Sequence, residues 1–232
     1  MKISLFFFFL FTIILTELDR NFIIRFSIIN YYINNFPNRI IYGINNSINK
    51  LFMKKYIFDH NILKFNKFLI SNRRHIENSF NESRRKNLKI EIVVSNKYSQ
   101  LEPDNKYRCI FFKLFNKNND KNLEYFPIIN TLLKNYKNIR NCFFSIMEHK
   151  KELSYHRGPD SGILRYHFPI IVKKNSCYLE IMGKKMYNDK PILFDDTYPH
   201  KLVKNDDSLR VVLICDIDNP YSIFHPHTIT YK

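Results

Sequence analysis

His156-Arg157-Gly158-Pro159-Asp160-Ser161-Gly162-Ile163-Leu164-Arg165-Tyr166-His167 is the stretch on which the reading of this chain turns. It holds two histidines, two arginines and two of only four glycines in 232 residues. On a β-strand, residues i and i+2 share a face, so Arg165 and His167 point the same way. If that way is into a barrel, they are buried cations that require an anion, and a dicarboxylate ligand satisfies them. A single histidine at a strand end is usually an ordinary core or surface residue, so the weight rests on what surrounds it.

Downstream, Phe194-Asp195-Asp196-Thr197-Tyr198-Pro199-His200 brings a second histidine forty-four residues after His156, and Arg210 opens an apolar run ten residues later. Two histidines brought together from different strands suit iron, with imidazole as the ligand. Asp195 and Asp196 also fit a simple turn. Around this pair, short apolar and β-branched runs recur at Ile90 to Val94, Tyr107 to Phe112, Cys142 to Met147, Ile163 to Val172, Cys177 to Met182, Ile192 to Phe194 and Arg210 to Ile214. Helical spacing occurs over Leu63 to Phe80 and Ile128 to Tyr136. Many short strands with few helices predict a mainly β sandwich, barrel or jelly roll. In a chain that nearly avoids glycine, Gly158, Gly162 and Gly183 are expected where the backbone needs special geometry or close approach.

The length allows one domain of ordinary size plus an N-terminal extension. Hydrophobic residues make up 45%, enough for a packed core, which excludes a disordered or collagen-like chain. The 28 asparagines, 22 phenylalanines and absent tryptophan read as nucleotide bias, which weakens any inference from the net charge of +16. That charge is uneven: residues 1–90 carry 15 basic and 5 acidic side chains, residues 91–232 carry 22 and 16. A basic face can meet phosphate or an anionic membrane, yet no nucleic-acid-binding signature accompanies it, so no nucleic-acid partner is expected. After Lys2, an apolar run from Ile3 to Leu15 has signal-peptide length and is shorter than the roughly 20 residues of a spanning helix. Residues 1–20 are therefore read as a signal peptide or signal anchor, 21–60 as an Asn-rich, loosely ordered stalk, and 61–232 as the folded domain that carries both histidine motifs. This predicts a secretory-pathway or endoplasmic-reticulum location, lumenal or membrane-anchored. Cys109, Cys142, Cys177 and Cys215 form no C-x-x-C pair, which excludes a zinc ribbon or thioredoxin motif and favours buried thiols.

The segments Ser145 to His167 and Pro191 to Pro220 resemble the aspartyl/asparaginyl β-hydroxylase family of iron(II) and 2-oxoglutarate dependent dioxygenases. That family shows a serine eleven residues before H-x-G-P, then L-R-x-H, F-D-D-x-x-x-H, and a strand from Arg to V-D-x-x-x-P. Here these stand as Ser145, His156 with Gly158 and Pro159, Leu164 to His167, Phe194 to His200, Arg210, and Asp216 to Pro220. Weaker similarity runs through Tyr107 to Leu114 and Phe126 to Tyr136, so about 150 to 170 residues are covered.

The resemblance implies a double-stranded β-helix, a jelly-roll or cupin-like core with flanking helices. It implies His156 and His200 as iron ligands, and Ser145, Arg165, His167 and Arg210 as the 2-oxoglutarate pocket, Arg210 meeting the distal carboxylate. Gly158 stands where the wider superfamily places a third, carboxylate ligand; the aspartyl/asparaginyl branch shares that glycine, and Asp160 is the nearest carboxylate in sequence. The implied reaction uses O2 and hydroxylates the β-carbon of Asp or Asn in a protein or peptide, releasing succinate and CO2. Two other readings stand beside it. The apolar N-terminus, through which the chain would associate with a membrane, fits hydroxylation of a lipid acyl chain, and an inactive β-barrel acting as a binding module is the third. The departures are the absence of Trp, Asn219 where relatives often carry histidine, and the lack of the helical-repeat region of the long animal-type enzymes.

Overall fold

The computed structural model describes residues 55–86, 88, 90, 92–94, 107–158 and 161–222, together with Phe7, Leu10, Asn46 and Asn49. The expected signal segment 1–20 lies outside these apart from Phe7 and Leu10, as does most of 21–60. Among the described residues no helix is long and apolar enough to cross a membrane.

Two antiparallel sheets face each other. The larger contains β1 (Ile57–Phe58), β2 (Ile92–Val94), β3 (Tyr107–Leu114), β5 (Ile139–Met147), β7 (Ile163–Ile171), β10 (Ile192–Phe194) and β12 (Arg210–Asp218), ordered β1-β10-β7-β12-β5-β3-β2, with β4 (Lys117–Asn118) paired to β3. The smaller contains β6 (Lys151–His156), β8 (Cys177–Ile181), β9 (Lys184–Tyr187) and β11 (His200–Lys204), ordered β6-β11-β8-β9. From β5 onward the chain passes between the sheets at nearly every step. That winding is the double-stranded β-helix, so the jelly-roll expectation holds. The apolar runs fall on β2, β3, β5, β7, β8, β10 and β12, while β6, β9 and β11 arise where no apolar run was read. β1 joins the sheet through Ile57 and Phe58, so the folded unit reaches back before residue 61.

Strand periodicity divides the larger sheet into two unlike faces. Phe144 and Ile146 of β5, Leu164, Tyr166 and Phe168 of β7, and Val211, Leu213 and Cys215 of β12 belong to one apolar cluster. It is covered by α1 (Asn66–Arg85) and α3 (Pro127–Asn135); α2 (Asp120–Leu123) is a single turn beside β3. α1 buries Leu69, Ile76, Phe80 and Ser83, spaced as one helical stripe. α3 starts on Pro127, whose missing N–H costs nothing in the first turn, and buries Ile129, Leu132 and Leu133. Phe112, Phe126 and Phe144 meet edge to face at 4.9–5.4 Å, and Phe80 reaches Phe144 at 5.6 Å. Phenylalanine supplies the aromatic packing that tryptophan would otherwise give, at about 0.5–1.5 kcal/mol per pair beyond area burial. The alternate residues, Ser145, Met147, Arg165, His167, Phe194, Arg210 and Asp216, turn toward the smaller sheet, and the site is built on them.

All four cysteines are buried and unbridged, with the Cys142 and Cys215 sulfurs 3.9 Å apart across β5 and β12.

Candidate active site

His156 ends β6 and His200 opens β11, and the register sets them directly opposite each other. Their ring centroids are 4.3 Å apart. His156 Nδ1 lies 2.8 Å from the Ser154 carbonyl, and His200 Nδ1 lies 2.9 Å from the Tyr198 carbonyl. A carbonyl only accepts, so each Nδ1 carries the proton and each Nε2 keeps its lone pair. Burial pushes both imidazoles below their usual pKa, His200 well below, with the charge of the other ring opposing protonation of His200. Two neutral, pre-oriented imidazoles with Nε2 lone pairs are a divalent-metal donor pair with its outer shell in place.

Phe194 joins this pair to His167: its ring meets His200 at 5.1 Å and His167 at 5.5 Å. His167 is buried, its pKa driven well below normal first by desolvation and then by the Arg210 and Arg165 charges. Its Nδ1 has no hydrogen-bond partner among the described residues. A buried polar atom in that state calls for a ligand or an ordered water.

Arg210, at the start of β12, is 1% exposed. Its Nη1 donates to Ser145 Oγ at 3.0 Å, and its Nε and Nη2 both donate to Asn188 Oδ1. Met147 Sδ is 3.8 Å from Nη1. None of these groups carries negative charge, and no carboxylate among the described residues lies within ion-pair distance of Arg210.

Arg165 is placed differently from the expectation. It does share a face with His167, but its anions come from the chain itself. Nε and Nη2 grip Asp216 at 2.7 and 2.9 Å, and Nη1 meets Asp196 at 2.9 Å. The need for an external anion therefore falls on Arg210. The two aspartates of the Phe194-Asp195-Asp196 motif also part company. Asp195 accepts from the Thr197 N–H and hydroxyl and makes the turn, whereas Asp196 is fully buried and turned to Arg165.

Gly158 is explained by Asp196. A Cβ on Gly158 would lie 2.1–2.2 Å from the Asp196 carboxylate, and the Gly158 N–H donates to the Asp196 carbonyl at 2.7 Å. Among the described residues, the carboxylate beside position 158 is Asp196; Asp160 lies outside them. Gly183 meets the other expectation, with φ +79° in the β8–β9 turn. Asn188 was missed altogether. It follows β9, its N–H donates to the Cys177 carbonyl at 2.9 Å, and its side chain crosses to Arg210 on the opposite sheet.

The profile of the aspartyl/asparaginyl beta-hydroxylase family matches residues 69–220. The ornithine lipid ester-linked acyl 2-hydroxylase of Rhizobium tropici is 28% identical over 131 residues, which are 55% of this chain and 47% of that protein. The aspartyl/asparaginyl beta-hydroxylase of Homo sapiens is 27% identical over 97 residues, 39% of this chain and 13% of that protein. The chain therefore spans about half of the first relative's length and far less of the second's. Among solved structures, a 2OG-Fe(II) oxygenase family oxidoreductase from Burkholderia pseudomallei aligns with a TM-score of 0.39 at 10% identity, over 48% of this chain and 66% of that one. A Pseudomonas putida prolyl-4-hydroxylase aligns at 0.39 and 9%, over 63% and 87%.

Proposed function

This chain belongs to the aspartyl/asparaginyl beta-hydroxylase family, and from that premise we propose that it is an iron(II) and 2-oxoglutarate dependent dioxygenase that hydroxylates an unactivated C–H bond. The carrying observation is the pairing of two neutral, opposed imidazoles, His156 and His200, with a buried guanidinium, Arg210, that lacks an anion of its own. The residues fit the groups they would hold. Iron(II) would be taken by His156 and His200 through Nε2, and the distal carboxylate of 2-oxoglutarate by Arg210 and Ser145, a fork-on-carboxylate geometry that guanidinium suits. Bound there, iron with 2-oxoglutarate and O2 supplies the oxidising chemistry that turns C–H into C–OH while the 2-oxo acid loses CO2 and becomes succinate.

The protein's own part is positioning and exclusion. The Ser154 and Tyr198 carbonyls orient the two rings before any metal would enter. Neutral His167 offers a hydrogen bond without adding charge beside Arg210. Asp196, clamped by Arg165, occupies the volume of a side chain at position 158, so the metal receives no protein ligand from there.

For the substrate, the β-carbon of Asp or Asn in a peptide or protein is the first reading, supported by the family and by the human relative's name. A lipid acyl chain is the second. It is favoured by the rhizobial relative, whose aligned region covers more of this chain, and by the apolar run from Ile3 to Leu15. That run also supports a location in the secretory pathway or endoplasmic reticulum, lumenal or anchored at a membrane.

Succinate formed from 2-oxoglutarate under air by the full chain, with and without iron(II), tests the proposal, alongside His200→Ala and Arg210→Ala. Iron-dependent succinate lost in both variants is the expected result. Failure of the wild-type chain to bind either the metal or 2-oxoglutarate would overturn it. Asp-containing peptides and acyl lipids offered in parallel separate the two substrate classes.

A further inference from the structure

We infer that Asn188 determines cosubstrate specificity: its carboxamide tethers Arg210 through Oδ1 and donates Nδ2–H to the distal carboxylate of the 2-oxo acid. This rests on the proposed 2-oxoglutarate site and assigns it a residue that no sequence motif indicated. Three observations carry it. Asn188 is 0% exposed, yet its Nδ2 has no hydrogen-bond partner among the described residues. An unsatisfied buried donor is expensive, so it needs an acceptor that arrives with a ligand or water. The orientation of the amide is not arbitrary, because a guanidinium has only donors, so the atom facing Arg210 Nε and Nη2 must be Oδ1, leaving Nδ2 for another partner.

The third observation is electrostatic. Asn188 holds two arms of Arg210 while leaving its positive charge uncompensated, which an aspartate in the same place would not do. The smaller sheet thus lends the larger one a neutral clamp: Asn188 is fixed after β9 by its N–H to the Cys177 carbonyl and reaches across the barrel to β12. The subsite then presents the Arg210 guanidinium, the Ser145 hydroxyl and the Asn188 N–H to one carboxylate, a donor set that selects a 2-oxo dicarboxylic acid over a 2-oxo monocarboxylic acid of equal length.

The test is equilibrium binding of 2-oxoglutarate and of 2-oxovalerate, which carries a methyl in place of the distal carboxylate, to the full chain loaded with manganese(II) under anaerobic conditions. Wild type, Asn188→Asp and Asn188→Ser are compared, with manganese affinity and thermal midpoint as controls for folding. Asp keeps the size and the acceptor for Arg210 but removes the N–H and cancels the charge. The charge of Asp alone narrows the preference, so the donor is read in the neutral Ser variant, where a role outside the carboxylate subsite predicts full preference for 2-oxoglutarate. The donor role predicts that both variants narrow that preference by about tenfold or more, Asp more than Ser, with 2-oxovalerate and manganese binding unchanged. A preference within about threefold of wild type in Asn188→Ser overturns the inference and leaves the dioxygenase reading standing. Absence of 2-oxoglutarate binding in the wild type overturns the dioxygenase reading itself.

Discussion

Arg165 and Arg210 stand on adjacent strands, β7 and β12, and turn to the same interior face, but one is surrounded by carboxylates and the other by neutral groups. Arg165 donates twice to Asp216 and forms an ion pair with Asp196 through Nη1. Arg210 meets a hydroxyl, an amide oxygen and a thioether. A partly buried cation whose buried counter-ions are built in is part of the scaffold, because removing it strands them. One held only by neutral acceptors is geometrically fixed and electrostatically incomplete, which is the state a receptor for an anion should have. The fold thus separates two roles that sequence spacing alone had merged into one.

The contrast can be broken first at Arg165. Arg165→Met leaves the buried Asp196 and Asp216 without their guanidinium counter-charge, and urea unfolding should show a loss of about 3–5 kcal/mol; a loss below about 1 kcal/mol would mean that the pair is ornamental. At Arg210 the consequences should invert. Arg210→Met is expected to leave the apo protein as stable as wild type or slightly more so, while 2-oxoglutarate binding measured by calorimetry falls by about 2–5 kcal/mol. Were both substitutions to destabilise the apo fold alike, the distinction drawn between them would be wrong. Gly158→Ala probes the carboxylate end of the Arg165 network: forcing Asp196 aside should cost about 1–3 kcal/mol and weaken metal binding, read from denaturation and a metal titration.

The smallest effect concerns protons. His167 is held below the usual histidine pKa of about 6.5, so the unfolded chain takes up a proton before the folded one does. Its contribution to stability is therefore complete above about pH 6.5 and is lost as pH falls. The slope approaches about 1.4 kcal/mol per pH unit for one proton. His167→Gln should flatten the apo protein's stability profile between pH 6.5 and 5 by that amount, and an unchanged profile would place the titration elsewhere.

What could be read from the sequence follows from how each element earns its place. The central strands of the larger sheet are buried on both faces, one against α1 and α3 and one against the barrel, so they appear as largely apolar runs such as Val211 to Ile214. β6 and β11 have a wet outer face, and their sequences, Lys-Glu-Leu-Ser-Tyr-His and His-Lys-Leu-Val-Lys, bury only alternate residues. Apolar runs alone do not reveal them, although they carry His156 and His200. Those histidines were still found, because H-x-G-P and F-D-D-x-x-x-H are specific patterns. Asn188 had no such pattern: in a chain with 28 asparagines one more carries no signal, and its importance comes only from a contact twenty-two residues away on the opposing sheet. Asp216 was visible as part of a motif, but nothing in its spacing told that it would complete Arg165.

The fit of Gly158 against Asp196 also bears on how such a site changes over generations. A carboxylate introduced at position 158 would collide with Asp196 at 2.1 Å and bring a second negative charge into the same volume. Removing Asp196 first would strip Arg165 of one counter-ion before any replacement exists. Each single step passes through a damaged protein, so the two-histidine centre and a three-ligand centre are separated by a valley of paired substitutions. Lineages that acquire this glycine and aspartate together are held to them by epistasis, whatever substrate the rest of the barrel comes to serve.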